Sequence, residues 1–325
     1  MNETESPSGL VATALRELKL IDFGDTGLTE DGWQFLTNKQ EGYNLPWESL
    51  RNDFKIIKGE LTLVSGYTGQ GKSEMVTHIA LDAISQGAKA MIASLEMTPG
   101  QLQARITHQA TGIQLPSQEY HTHVSQFYRD KLRVFDTRGI ADINEILEGC
   151  RLLNNIFGHD VFIFDNLMML DSSTDDYNKQ FHNAQRISEF TKKFKVCSLL
   201  VAHSKKPREK LDAGKFSADF NPPGIYDVMG ASSVANLVDN HISITINQAK
   251  LKAASKLRRN IPLTDSELKA MEFGDAAIKR DKKREQGEYF TRPLYYDRKF
   301  HRLKDYETQK LSPYVEYSNL NKKVL

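Results

Sequence analysis

From about residue 60 onward, apolar and polar positions fall into short alternating blocks. Leu61–Ser65 is an apolar run of strand length. A glycine-rich turn follows, and then a helix-patterned stretch, Ser73–Ser85. The same alternation pairs a strand at Ala88–Ser94 with a helix at Gly100–Thr111, and a strand at Leu132–Asp136 with a helix at Ile140–Asn155. Val161–Asp165 (VFIFD) is the most apolar strand candidate, Asn183–Phe194 reads as a helix and Ser198–Ala202 as a further strand. Strands alternating with helices predict right-handed βαβ units, hence an α/β fold with a mostly parallel, twisted sheet flanked by helices.

The ends of the chain follow other rules. Residues 10–21 (LVATALRELKLI) place apolar side chains at helical spacing after Ser8 and Gly9. The stretch from there to Pro46 has too few periodic apolar positions for a core, so residues 1–50 read as an arm or linker. Beyond Val228, Ser232–Leu237 looks helical and His241–Asn247 alternates as a strand. Residues 249–273 form a charged insertion. Ala276–Lys283, Tyr289–Tyr296 and Phe300–Leu303 then read as strands of a C-terminal β-hairpin. One domain over 51–305 and a tail over 306–325 complete the expected organisation.

Composition changes little until it is divided by region. The 325 residues carry 43 Lys and Arg against 42 Asp and Glu, a net charge of +1 that excludes a histone-like polycation. Residues 1–60 hold 6 basic and 11 acidic side chains, whereas residues 250–304 hold 16 basic and 8 acidic ones. Neutrality therefore conceals a polarised chain, and a polyanionic partner stays open. Cys150 and Cys197 stand in unrelated contexts, which argues against a disulfide framework or a cysteine-based zinc site. Neither a secretory leader nor a membrane-length apolar run is apparent, so a cytoplasmic protein is expected.

The sharpest chemical signal is GYTGQGKS, a full match to G-x-x-x-x-G-K-[ST] set between a predicted strand and a predicted helix. Gly66, Gly69 and Gly71 let backbone N–H groups curl around phosphate oxygens, with Thr68, Gln70 and Glu74 in the same turn. Lys72 would reach the β- and γ-phosphates and the Ser73 hydroxyl would ligate Mg²⁺. ATP or another nucleoside triphosphate, with Mg²⁺, is the expected cofactor set. Asp165 ends its strand at the same sheet edge, as a metal-supporting carboxylate does, although a strand-ending turn residue would look the same. Glu96 follows MIASL at that edge, where a carboxylate could polarise a water. His203 ends SLLVA there too, in the place of a γ-phosphate sensor.

Together these segments resemble a known family. GYTGQGKS, SLEMTPGQLQARI, FIFDNLMML and VAHSKKP look like the motor domain of the DnaB-type hexameric ring helicases, with the Asp165–Asn166 pair and His203 closest to the phage primase–helicase and mitochondrial Twinkle branch. GASS followed by VANLVD, and KKREQGE at 282–288, resemble two further segments of that family. The resemblance implies a RecA-like core that assembles as a six-fold ring with ATP between neighbours, translocating on single-stranded DNA and unwinding forked duplex. It implies Glu96 as catalytic base, Arg284 as an arginine finger in the neighbour's site with Lys282 alongside, and Tyr296 near the adenine. By position alone, Lys282 and Arg284 read as a solvated basic hairpin, and a strand position explains Tyr296 equally well.

DNA contacts are expected from Ser204–Tyr226, a long polar segment carrying Lys205, Lys206, Arg208, Lys210 and Lys215, with Lys179 in the more acidic Asp171–Gln180 as a second candidate. No primase domain fits within residues 1–50, so primase and polymerase are expected as separate partners. Two other classes share the phosphate loop: a RecA-type recombinase or regulatory ATPase that does not unwind, and a phosphoryl-transfer enzyme. The K-x-R element and the basic segment favour the motor.

Overall fold

The structure is a computed structural model that describes residues 23–37, 39–136, 142–166, 177–205, 221–229, 231–283 and 289–316. The chain divides into two units, Met1–Glu41 and Gly42–Leu325. The helix expected at residues 10–21 lies outside the described residues. Among its described residues the first unit shows α1 (Thr26–Leu36), whose first turn is capped by the Asp25 carboxylate accepting from the N–H groups of Gly27 and Leu28 at 2.9 and 3.2 Å. Gly27 and Gly32 blur the helical pattern of this stretch in sequence.

The second unit begins at Gly42, earlier than the boundary near residue 50 expected from the sparse apolar periodicity. The reason is packing. β1 (Gly42–Asn44) pairs antiparallel with β2 (Lys55–Ile57), and Leu45, Trp47 and Leu50 between them are fully buried. The Trp47 indole donates to the Leu303 carbonyl at 3.0 Å, a partner 256 residues away. At the other end, part of the expected tail packs on the same unit: Tyr314 N–H donates to Ala110 O at 2.8 Å, and the Tyr120 hydroxyl donates to Val315 O at 2.6 Å.

The main sheet comprises β3 (Leu61–Gly66), β4 (Ala90–Ser94), β5 (Leu132–Phe135), β6 (Val161–Asp165), β7 (Cys197–His203), β8 (Asn240–Ile246), β9 (Ala276–Lys283), β10 (Phe290–Asp297) and β11 (Arg302–Lys304). Its order is β11-β10-β9-β8-β3-β7-β6-β4-β5. The strands from β8 to β5 run parallel, and β9, β10 and β11 extend the sheet antiparallel. The expected C-terminal hairpin is thus a three-strand extension of the same sheet.

Alternation along each strand divides the core into two layers. Leu61, Leu63, Phe162 and Phe164 face α5 (Ile143–Phe157), α6 (Tyr177–Phe194) and α7 (Ala231–Leu237). Val64, Ile163, Leu199 and Val201 face α2 (Lys72–Ser85), α3 (Pro99–Thr111) and α4 (Gln118–Tyr128). Burial on both faces explains why these strands read as continuous apolar runs. Helix α4 was not expected, yet Tyr120, Val124 and Tyr128 recur every fourth residue and are its buried face. The charged insertion folds as α8 (Gln248–Arg258) and α9 (Asp265–Met271), with the Asn247 amide donating to Ala270 O and Gly274 O at 3.1 Å each. Among the described residues no helix is long and apolar enough to cross a membrane.

Under this core, His78 on α2 is buried against Trp47, ring centroids 5.9 Å apart and edge to face. Burial, with Arg302 nearby, holds its pKa well below the ordinary 6.5. The unfolded chain therefore binds a proton below pH 6.5 that the folded chain refuses, so stability present above that pH is lost as the pH falls toward the depressed value. Urea unfolding at about pH 7 and about pH 5.5 should show a smaller loss in His78→Phe than in the unaltered protein. An identical loss in both proteins would show that His78 does not carry this linkage.

Candidate functional site

Strand register brings the polar ends of four parallel strands side by side. Gly66 lies opposite His203, and Ser94 opposite Asp165. From the end of β3 the chain turns through residues 67–71 into α2. Gly71, the N-cap, takes a left-handed conformation with φ of +76°, which a side chain would strain. A Cβ on Gly66 would lie 2.6 Å from the Ile244 carbonyl oxygen, so only glycine lets β8 pass this close to the turn.

Lys72 is buried, and its ammonium donates to the carbonyls of Gly66 and Tyr67 at 3.1 and 3.0 Å. Its third contact is His203 Nδ1 at 3.1 Å. Burial lowers the Lys72 pKa, while Asp165 and then Glu96 pull it back up. Asp165 is buried as well. Burial raises its carboxyl above the ordinary aspartate value and Glu96 adds to this, against a hydrogen bond from Ser73 and the charges of Lys72 and Arg105. Burial and the neighbouring Lys72 keep His203 below the ordinary histidine value, so the ring is neutral at pH 7. A neutral ring that accepts from Lys72 at Nδ1 carries its proton on Nε2, which faces Glu96 Oε1 at 3.4 Å. The Asn166 amide nitrogen, 3.2 Å from Nε2, can bond that atom only in the other tautomer.

Asn166, directly after Asp165, donates its amide to the same Glu96 oxygen. Glu96 itself is exposed at the mouth of the pocket. Thr68, Gly69, Gln70, Gly71, Lys72, Ser73, Glu74, Glu96, Arg105, Asp165, Asn166 and His203 line a cavity of about 380 Å³. Adjoining it is a more apolar cavity of about 270 Å³ that shares Gln70, Gly71 and Glu74 and is walled by Ile246, Tyr296 and His301. The Tyr296 hydroxyl donates to Glu74 Oε1 at 3.2 Å, which joins the two cavities.

The donor chemistry fits Mg²⁺ brought in with a triphosphate. Ser73 and Asp165 offer one hydroxyl and one carboxylate, and a hard cation of this kind takes its remaining ligands from phosphate and water. Among the described residues no group of three His, Cys, Asp or Glu is placed to hold a metal on protein ligands alone.

The remaining sequence-predicted residues lie elsewhere. Lys282 reaches the Ala235 carbonyl on α7. Lys205 is exposed and its N–H donates to Asp227 O at 2.7 Å. Lys179 is exposed on the first turn of α6. Arg284, Lys206, Arg208, Lys210 and Lys215 lie outside the described residues. Two lining residues carry no role expected from sequence. Asn166 follows Asp165 directly, and Arg105 falls one helical turn beyond Gln101 in GQLQARI. One guanidinium nitrogen of Arg105 is buried without a hydrogen-bond partner.

A family model described as the AAA domain matches residues 46–209. Among solved structures, a DnaB-like replicative helicase described with its primase interactions superposes with a TM-score of 0.64 at 13% identity, covering 91% of this chain and 71% of its own. A second solved structure, described as an ATPase domain, gives 0.64 at 13% identity, covering 88% of this chain and 100% of its own. At such identity the likeness is one of fold, the RecA-like P-loop arrangement expected from the motifs. No curated protein is similar to the chain in sequence.

Because the Gly66 contact is with backbone, Gly66→Ala should destabilise the protein by about 1–3 kcal/mol and weaken binding of a fluorescent ATP analogue. Thermal melting and a binding titration check this, and an unchanged variant would refute the close-approach argument.

Proposed function

The chain belongs to the AAA domain family, and from that premise we propose that it is an ATP-driven helicase motor of the DnaB type, translocating on single-stranded DNA and unwinding a fork. Glu96 is the observation that carries this reading. It is an exposed carboxylate at the pocket mouth, held by Asn166 and facing His203, while Lys72 and Asp165 lie buried behind it. That arrangement suits hydrolysis, because a base must meet water where water can enter, while the charge-binding groups work best away from it.

In the proposed reaction, Lys72 exchanges its bonds to the Gly66 and Tyr67 carbonyls for β- and γ-phosphate oxygens. Ser73 and Asp165 hold Mg²⁺, which supplies neutralisation of phosphate charge. Glu96 accepts a proton from the attacking water. His203 touches both Lys72 and Glu96, and so senses whether a γ-phosphate stands between them. Tyr296 and the apolar cavity take the base. Arg284, with Lys282 beside it, completes a neighbouring chain's site, which makes a ring, expected as a hexamer, the working form.

Lys205, Lys206, Arg208, Lys210 and Lys215 contact the phosphates of one DNA strand, with Lys179 a further contact. Lys205 stands two residues after His203, the last residue of β7, so a DNA strand held there would lie close along the chain to the γ-phosphate sensor. The DnaB-like relative described with primase supports a primase partner supplied as another chain.

Forked-duplex unwinding with ATP and Mg²⁺ tests the reading. Unaltered protein should unwind and Lys72→Ala should not. Arg284→Ala should retain ATP and DNA binding while hydrolysis falls by about 10³–10⁵-fold. Unwinding that survives Lys72→Ala would contradict the mechanism. Filaments instead of rings in negative stain would favour a recombinase.

A further inference from the structure

No part in the proposed reaction falls to the charged insertion 249–273, yet it reaches the apolar cavity beside the phosphate loop. Helix α8 carries Lys250, Lys252, Lys256 and Arg258, and among these charges stands Leu251. Leu251 lines that cavity together with Met75, Ile244, Ile246 and Tyr296. It is 45% exposed, so about half of an apolar side chain stays wet until something covers it. Covering such a surface with another apolar group is favourable.

The place of Leu251 is fixed from two sides. Asn247 is buried, and its Oδ1 caps α8 by accepting from the Lys250 N–H at 2.9 Å. Its amide reaches Ala270 O and Gly274 O, at the far end of the insertion. Lys250 Nζ donates to Phe273 O at 2.8 Å and pairs with Asp275 Oδ1 at 3.0 Å. Asp275 Oδ2 accepts from the Tyr296 N–H at 2.8 Å, so one carboxylate joins the insertion to the strand that bears the aromatic wall. On the other side, Gln70 of the phosphate loop accepts at Oε1 from the N–H of Ile246, two residues before α8 begins. The insertion is thus held in register with both the phosphate loop and Tyr296.

What the cavity can recognise follows from which lining groups remain unspent. Gln70 Oε1 and both oxygens of Asp275 are bonded within the protein. Glu74 Oε1 takes the Tyr296 hydroxyl at 3.2 Å and faces His301 Nδ1 at 3.5 Å. Arg298 is exposed and the His301 side chain is 42% exposed, so any bond they offer competes with water. The walls that remain are apolar. A site built to bond one base edge rejects other bases strongly, whereas an apolar wall responds to the area of the ring.

We propose that Leu251 is a base-binding residue which, with Tyr296, grips the base of a purine nucleoside triphosphate by apolar contact. ATP and GTP then serve alike, and pyrimidine nucleotides and base-free triphosphate bind more weakly. This rests on the nucleotide-site reading above, with the base in the apolar cavity, and does not depend on DNA unwinding.

Competition against a fluorescent ATP analogue, with the full chain and Mg²⁺, places ATP, GTP, CTP and inorganic tripolyphosphate on one scale. For the unaltered protein, ATP and GTP should agree within about three-fold, with CTP at least about five-fold weaker and tripolyphosphate weaker again. Leu251→Ala keeps a good helix former and removes the apolar contact. It should weaken ATP and GTP by about five-fold and leave tripolyphosphate within about two-fold.

Unchanged ATP binding in Leu251→Ala, a matching fall for tripolyphosphate, CTP as tight as ATP, or ATP and GTP further apart than about three-fold would each overturn the proposal. Should Leu251→Ala melt early, Leu251→Gln, which keeps size and helix propensity but not the apolar surface, decides the same question. Failure of the nucleotide-site reading looks different: the unaltered protein would bind neither ATP nor tripolyphosphate, and the base grip would fall with it. A protein that binds the four ligands in the expected order without unwinding a fork would support the base grip and refute the motor reading alone.

Discussion

A buried ammonium group organises this molecule. Removing the Lys72 charge from water is costly unless hydrogen bonds and opposite charge replace the solvent. The replacements come from separate strands: carbonyls at the end of β3, the His203 ring at the end of β7, the Asp165 carboxylate at the end of β6 and Glu96 just past β4. No local segment could gather them. They meet because parallel strands in register end at one edge, with Gly66 level with His203 and Ser94 level with Asp165. In the proposed reaction phosphate oxygens take the place of the Gly66 and Tyr67 carbonyls as acceptors.

The rest of the sheet serves that edge in two ways. The two apolar layers hold the parallel strands from both faces, so the polar strand ends are presented by a rigid support. Beyond β8 the sheet turns antiparallel, and β10 brings Tyr296 against Glu74, walling the apolar cavity beside the phosphate loop. The antiparallel strands also carry the bulge at Asp281, where the sheet gives up a regular ladder and the Asp281 carboxylate accepts from the Ile225 N–H and bonds the His241 ring.

Much of this was legible in the residues because the governing signals are local. Continuous apolar runs marked β3, β6 and β7, and the glycine spacing before Lys72 marked the turn. Glu96, Asp165 and His203 were readable from one rule, that each stands at or just past the end of a strand of a parallel sheet. What escaped depends on distant partners. Leu45 and Trp47 looked like linker residues, because the Leu303 carbonyl that receives the indole lies at the far end of the chain. Tyr314 and Val315 looked like a tail, because their partners Ala110 and Tyr120 lie some two hundred positions earlier. Arg105 and Asn166 stood inside recognised motifs, but their direction into the cavity is a property of the assembled sheet. His241 and Asp281 passed as ordinary strand positions, since no periodicity records a bulge.

The central claim is that this strand edge hydrolyses ATP with Glu96 as base, and a Glu96→Gln variant tests it most directly. Equilibrium binding of Mg·ATP and the rate of a single turnover should be measured on the same preparation. Binding should stay close to that of the unaltered protein, because Lys72, Ser73 and Asp165 remain, with turnover slowed by about 10²–10⁴-fold. Turnover at the unaltered rate, or loss of binding in step with turnover, would contradict it.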